Sequence, residues 1–78
     1  MSAAALLEDL ARQLVDEPDA VRIEQVEEPD ELVLRLHVAD DDRGKVIGRQ
    51  GRIARALRTV IRASAVRERR RVRLEIVD

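Results

Sequence analysis

The chain has 78 residues, of which 45% are hydrophobic and none is aromatic, so its core must consist of valine, leucine, isoleucine and alanine. The absence of cysteine excludes disulfides and thiolate metal sites, and no apolar run approaches the roughly 18 residues of a membrane span. The net charge of −1 conceals an asymmetry, because residues 1–42 hold 13 acidic and 3 basic side chains and residues 43–78 hold 12 basic and 3 acidic ones. A basic half points to a polyanionic partner, although a segregated solvated surface is the alternative. We expect one domain, 1–78, in the cytoplasm.

The first half of the chain predicts a helix followed by a β-hairpin. Ser2 is a suitable N-cap for the helix, which "DEPDA" ends at residues 16–20. Residues 21–28 predict a first strand, whose alternation falters at Gln25 so that a bulge there stays open. Residues 32–39 alternate cleanly and predict the second strand. The apolar positions that define the helical stripe are Leu6, Leu7, Leu10, Ala11, Leu14 and Val15, and those that face one way in the second strand are Leu32, Leu34, Leu36 and Val38.

The second half predicts two helices and a final strand. A short helix through residues 43–47 is expected to be capped by one of the three aspartates at 40–42, and a longer helix covers about 52–67. Residues 69–78 predict a final strand with Val72, Leu74 and Ile76 facing inward. This strand follows a two-helix crossover and should therefore lie parallel to the second strand. The fold class is thus α+β, in the order helix–strand–strand–helix–helix–strand, with a three-stranded mixed sheet and helices packed on one face.

All three glycines fall between residues 44 and 51, and two of them, Gly48 and Gly51, bracket the junction of the two helices. Glycine allows the positive φ of a tight turn, and the helix that follows presents free N–H groups and the positive end of its dipole. Arg49 and Arg52 flank the turn, and Lys45 lies one turn upstream, so the segment predicts a cradle for a phosphodiester backbone. A nucleotide-binding P-loop is excluded, because Val46 follows Lys45 where Ser or Thr is required.

The segment "GKVIGRQGRIARALRTVIRA", residues 44–63, closely resembles the signature of a type II KH domain, whose GXXG loop (here 48–51) clamps single-stranded nucleic acid. Over nearly its whole length the chain is similar to the KhpA (YlqC) family of small, single-KH RNA-binding proteins. The resemblance implies a groove for bases lined by Val46, Ile47, Ala54 and side chains of the second strand. The RNA-binding residues that we expect are Lys45, Val46, Ile47, Gly48, Arg49, Gln50, Gly51, Arg52 and Arg55.

The resemblance also implies partners. Members of the family self-associate and pair with a larger KH protein, KhpB (Jag-like), as proposed RNA chaperones linked to cell-envelope growth. The thin core favours self-association as well. We expect the sheet to cover Ile53, Leu57 and Val60, and a second copy to contact the long helix through Ala54, Leu57, Ile61 and Ala65. The alternative is a protein-interaction module with a weak or vestigial RNA site.

Catalysis finds no support in the sequence. The lone histidine, His37, has no second ligand at metal spacing, and Ser2 and Ser64 have no general base at readable spacing. We therefore expect no enzyme activity, metal, cofactor, membrane insertion or small-molecule substrate. Three points stay open: RNA against single-stranded DNA, contact of the stripe Arg55–Arg58–Arg62 with nucleic acid, and contact of the basic run 67–71.

Overall fold

A computed structural model describes residues 2–66 and 69–78 of the chain and contains the elements in the predicted order. The sheet order is β1-β2-β3, with an antiparallel first pair and a parallel second pair, which confirms the mixed α+β fold. Residue 67, where the long helix was expected to end, lies outside the described residues. The elements are α1 (Ala3–Leu14), β1 (Arg22–Glu27), β2 (Glu31–His37), α2 (Arg43–Ile47), α3 (Arg52–Ala65) and β3 (Arg71–Ile76).

The first helix and the hairpin follow the sequence pattern closely. The Ser2 hydroxyl accepts a hydrogen bond from the Ala5 amide at 3.1 Å, so Ser2 caps α1 as predicted. Pairing of β1 with β2 runs without interruption from Arg22↔His37 to Glu27↔Leu32, and the hairpin contains no bulge. The alternating leucines of β2 are buried against the helices: Leu32, Leu34 and Leu36. None of the helices in the described residues is both long and apolar enough to cross a membrane.

The face of α3 that enters the core differs from the expected one. Val60, expected to lie under the sheet, is 43% exposed, whereas Ile61 is 1% exposed and belongs to the core cluster. At 100° per residue, the buried positions of α3 fall within an arc of about 80°, with Val60 outside it. The expected contact surface for a second copy is therefore wrong, because its residues are buried within the domain: Ala54, Leu57, Ile61 and Ala65.

Asp42 is the one buried charged residue among those described, and its role differs from the predicted helix cap. It precedes α2 but makes no side-chain cap to it. Its carboxylate instead accepts hydrogen bonds from the backbone N–H of Asp16 at 3.2 Å and of Glu17 at 3.0 Å, and pairs with Lys45 Nζ at 3.3 Å. Asp42 thus ties the turn after α1 to the start of α2.

These contacts change the acidity of the Asp42 carboxyl. Burial is the largest single influence and raises its pKa, but the hydrogen bonds from Glu17 and Asp16 and the contact with Lys45 together outweigh it. The pKa is therefore held below its ordinary value of 3.8 in the folded protein. Because the unfolded chain takes up the proton first, the stabilisation is complete above about pH 4 and is lost as the pH falls through the lowered pKa.

We expect Asp42→Asn to lower the melting temperature at pH 7, because a neutral amide pairs poorly with Lys45 and with two amide donors. The difference between the variant and the wild type should shrink as the pH falls below about 4, where the unfolded wild-type chain takes up a proton on Asp42, and should disappear once the pH has passed through the lowered pKa of the folded protein. Thermal unfolding followed by circular dichroism between pH 2.5 and 7 measures both effects. A difference that stays constant over this range would contradict the assigned role of the carboxylate.

Candidate functional site

The turn between α2 and α3 contains three residues with a positive φ. Gly48 has φ 77° and ψ 170°, a region that essentially only glycine occupies, and Gly51 is left-handed at φ 73°. Between them Gln50 is also left-handed, at φ 57° and ψ 24°, which is uncommon for a residue with a side chain. The predicted GXXG loop therefore exists as a tight, conformationally defined turn.

Gly48 is required by close contact within the chain itself. A Cβ at this position would lie 2.6 Å from Ile53 Cγ1 and 2.9 Å from the Ile53 backbone nitrogen. These distances are shorter than side chains tolerate, and the backbone nitrogen cannot move aside because it belongs to the first turn of α3. The bare backbone of Gly48 thus allows α2 to meet α3 at this angle.

Gly51, in contrast, faces open space. A Cβ there would meet no atom within 4 Å, so only the positive φ demands glycine. Gly51 is the N-cap of α3 and gives it no side-chain cap, and the first turn of α3 contains no acidic residue. The beginning of α3 therefore presents the positive end of the helix dipole at the surface, a setting that favours an anion.

The arginines around the loop divide into two roles. Arg49 is exposed and forms no ion pair with any of the described residues. Arg52 donates to the side-chain oxygen of Gln50 at 3.3 Å, and Arg55 donates to the backbone oxygen of Gln50 at 3.2 Å. Both guanidinium groups thus brace the left-handed residue at the tip of the loop while remaining exposed.

Two of the predicted site residues are engaged elsewhere. Lys45 pairs with Asp16 at 2.9 Å and with Asp42 at 3.3 Å, and hydrogen bonds to these carboxylates raise its pKa. Its charge is thereby compensated within the domain. Val46 is fully buried in the core, so the expectation that it lines a groove is wrong. Ile47, by contrast, is half-buried and reaches the surface beside the loop.

A groove of about 740 Å³ begins at Ile47 and runs between α3 and β3. Side chains of the second strand were expected to line this groove. That expectation is wrong for most of the strand, because β2 is the central strand of the sheet and β3 is its edge strand. Ala54 is buried and does not line the groove. The groove is lined by aliphatic, basic and two acidic side chains: Glu31, Ile47, Arg58, Ile61, Arg62, Arg71, Val72, Arg73, Leu74, Glu75 and Ile76.

The groove contains residues that the sequence reasoning had not placed in the site. Arg58 and Arg62 line it from α3, and Arg71 lines it from the first position of β3. The parallel crossover was predicted, and it implies that β3 returns alongside α3 at the edge of the sheet. That topology was the signal that could have identified these residues. No group of three or more potential metal ligands occurs in residues 2–66 and 69–78.

Comparison with known proteins agrees with the fold and with the family resemblance seen in the sequence. The family described as KhpA/KhpB, KH domain matches residues 4–76 of the chain. The chain belongs to the KhpA/KhpB KH-domain family. An RNA-binding protein KhpA from Clostridium acetobutylicum is 54% identical over 72 residues, which cover 92% of this chain and 96% of that protein. The KhpA proteins of Halalkalibacterium halodurans and Bacillus subtilis are 51% and 42% identical, over 94% of this chain and 96% and 90% of theirs.

Solved structures support the same fold at greater distance. Aquifex aeolicus Era superposes with a TM-score of 0.63 at 21% identity, covering 95% of this chain and 29% of the Era chain. A second Era structure, in complex with nucleotides 1506–1542 of 16S ribosomal RNA, gives the same score and identity over 95% of this chain and 28% of that one. The KH fold of the family is thus also found as a minor part of larger chains.

The two loop glycines should respond differently to the same substitution. Gly48→Ala should cost about 3 kcal/mol or more, because backbone strain adds to a clash with Ile53. Gly51→Ala should cost only about 1–2 kcal/mol, since the left-handed φ is its sole penalty. Urea unfolding of both variants measures the difference. Equal losses would mean that the contact between Gly48 and Ile53 does not set the junction of α2 and α3.

Proposed function

We propose that the protein binds single-stranded RNA, mainly through the phosphate backbone, at the loop 48–51 and the adjoining groove. The observation that carries this proposal is the loop itself, in which Gly51 leaves the N-terminus of α3 uncapped and open between Arg49 and Arg52. Membership of the KH-domain family, and its relatives that are known as RNA-binding protein KhpA, support RNA as the polyanion. Lys45 and Val46 are not part of the proposed contact surface.

Bases would lie in the groove between α3 and β3. Its floor offers aliphatic surface from Ile47, Leu74 and Ile76, and the free edge of β3 offers backbone groups that can bond to base edges. The chain has no aromatic residue, so base stacking worth roughly 1–3 kcal/mol per base is missing. We therefore propose weak binding with little sequence preference, in which phosphate contacts supply most of the affinity.

The cellular role follows from the family resemblance. We propose that the protein acts in the cytoplasm as an RNA chaperone and post-transcriptional regulator, as a homodimer or together with a KhpB (Jag-like) KH protein, in cell-envelope growth. A second RNA-binding unit in the same assembly would raise affinity through effective concentration. This arrangement suits a domain whose single site binds weakly.

A second candidate function is that of a protein-interaction module. It is favoured by an exposed small and apolar strip on α3, which is separate from the groove. Val60 is 43% exposed and Val66 is 75% exposed. Ala56 and Ala63 are exposed on the same side of the helix, where they would let another helix approach closely. Self-association, where it occurs, should use this strip rather than the buried residues that the sequence had indicated.

Gly51→Asp should abolish most of the RNA binding, because a carboxylate would occupy the position proposed for phosphate. Gly51→Asn is the matched control, since it has the same shape and the same left-handed φ without the charge. We expect Gly51→Asp to weaken binding about tenfold or more, equivalent to roughly 1.4 kcal/mol, and Gly51→Asn to bind within a few-fold of the wild type. Fluorescence anisotropy with labelled oligouridylate measures both affinities.

Circular dichroism should confirm that both variants are folded. The same titration with oligodeoxythymidylate distinguishes RNA from single-stranded DNA. Equal affinities for Gly51→Asp and wild type, with both proteins folded, would rule out the loop as the binding site. Absence of salt-dependent binding by the wild type would instead favour the protein-interaction module.

Val60→Asp should prevent self-association through the exposed strip of α3, because a charge would be buried between the two copies. Since Val60 lies outside the groove, binding to a tetranucleotide should change little. Sedimentation velocity from low to high micromolar concentration measures the assembly state. A wild-type protein that stays monomeric, or a Val60→Asp variant that still dimerises, would contradict the use of this strip.

A further inference from the structure

The far end of the groove, away from the loop, contains a group of uncompensated arginines. Arg58, Arg62 and Arg71 line it, and none of their guanidinium groups forms an ion pair or a hydrogen bond with a described residue. Arg73 lines the same groove but is paired with Glu31 at 3.2 Å and with Glu75 at 3.5 Å. Arg73 is thus neutralised by surface carboxylates, whereas the three other arginines of the same groove are not.

The register of the sheet strengthens this contrast. Glu31 is the Cα partner of Arg71 in the parallel pairing of β2 with β3. The Glu31 carboxylate nevertheless pairs with Arg73, two residues further along β3. The Glu31 carboxylate is thereby engaged by Arg73, and the guanidinium of Arg71 has no carboxylate partner among the described residues.

The two free arginines of α3 also destabilise the helix through like-charge repulsion. Arg58 and Arg62 are four residues apart, so they lie on the same side of the helix and repel each other. No acidic side chain of α3 offsets this repulsion, because the helix has none among residues 52–65. A bound anion would remove the repulsion.

The spacing places these arginines at increasing distances from the loop. With a rise of 1.5 Å per residue, Arg62 lies about 15 Å along the helix axis from Arg52. The chain then turns back, so that β3 begins with Arg71 near the end of α3 and ends with Ile76 on the side of Ile47. A strand clamped at the loop and continuing along the groove would meet Arg58 first and then Arg62 and Arg71.

We propose that Arg58, Arg62 and Arg71 form a second phosphate-binding segment, which extends the RNA footprint beyond the roughly four nucleotides that a GXXG loop clamps. This inference rests on the proposed function, because it requires that the strand enters the groove at the loop. The segment supplies affinity for longer strands and takes no part in binding at the loop. Its ligand is the phosphodiester backbone of the nucleotides that follow those held at the loop.

The test compares labelled uridine oligomers of four and ten nucleotides. The variant Arg58→Gln/Arg62→Gln removes two charges and keeps side-chain length and helix propensity. Arg12→Gln/Arg22→Gln is the matched control, since it removes the same charge from α1 and β1, away from the groove. Sedimentation at the working concentration checks that all proteins have the same assembly state.

We expect Arg58→Gln/Arg62→Gln to weaken decamer binding at least tenfold and tetramer binding by a clearly smaller factor, because the two arginines line the groove but lie outside the loop that clamps the tetramer. The salt slope for the decamer should fall by about 1.4, because each contact with a single-strand phosphate contributes about 0.7. The control variant should retain both affinities within about threefold. Circular dichroism confirms the fold of each protein.

Decamer binding by Arg58→Gln/Arg62→Gln equal to that of the control would overturn the inference, as would an equal loss for tetramer and decamer. These outcomes differ from failure of the proposed function, which would appear as binding that is insensitive to Gly51→Asp. A loop that responds to Gly51→Asp, with arginines that do not matter for the decamer, would confine the site to the loop.

Discussion

The contact between Gly48 and the start of α3 is the constraint on which the site depends. Ile53 occupies the space that a side chain at position 48 would need, down to 2.6 Å from the hypothetical Cβ. Because the contact includes the backbone nitrogen of Ile53, it fixes the position of the first turn of α3 relative to α2. The orientation of the loop, the exposure of Gly51 and the direction in which the groove leaves Ile47 all follow from this junction. Gly48 is thus needed for the packing of α2 against α3, whereas Gly51 leaves the beginning of α3 open to solvent.

The loop is held in place from its outer side as well. Gln50 adopts a left-handed conformation, and Arg52 and Arg55 donate hydrogen bonds to its side chain and carbonyl. These bonds stabilise a conformation that a residue with a Cβ adopts at some cost. Two arginines that read in the sequence as phosphate ligands therefore also serve to pre-form the loop. A loop that is already ordered loses less conformational entropy when it binds a ligand.

The sequence predicted the elements and the loop, but not which residues the fold brings against each other. Ser2, the leucine alternation of β2 and the glycine pair are local signals, and each was confirmed. The ion pair between Lys45 and Asp16 could not be predicted from the sequence, because only the tertiary fold brings the two residues together. Val60 was expected to be covered by the sheet and Ile61 to be exposed, but the structure shows the reverse. Neighbouring positions of a helix point 100° apart, and the local sequence does not determine how α3 crosses the sheet. The sequence pattern placed the second strand beside the groove, whereas β2 is the central strand of the sheet and β3, at its edge, borders the groove.

The distribution of ion pairs explains how an acidic half and a basic half coexist in one small domain. Most acidic partners lie on α1, the sheet and the turns, and they pair with Arg12, Arg35, Arg43, Lys45, Arg70 and Arg73. Among the described cations, the ones without a carboxylate partner lie between the loop and the start of β3, with Arg22 as the exception. Most of the unpaired positive charge among the described residues thereby lies around the loop, along α3 and at the start of β3. Under the proposed function, a protein without aromatic residues would depend on charge for its affinity for RNA, and the ion pairs elsewhere would keep polyanions from binding to the rest of its surface.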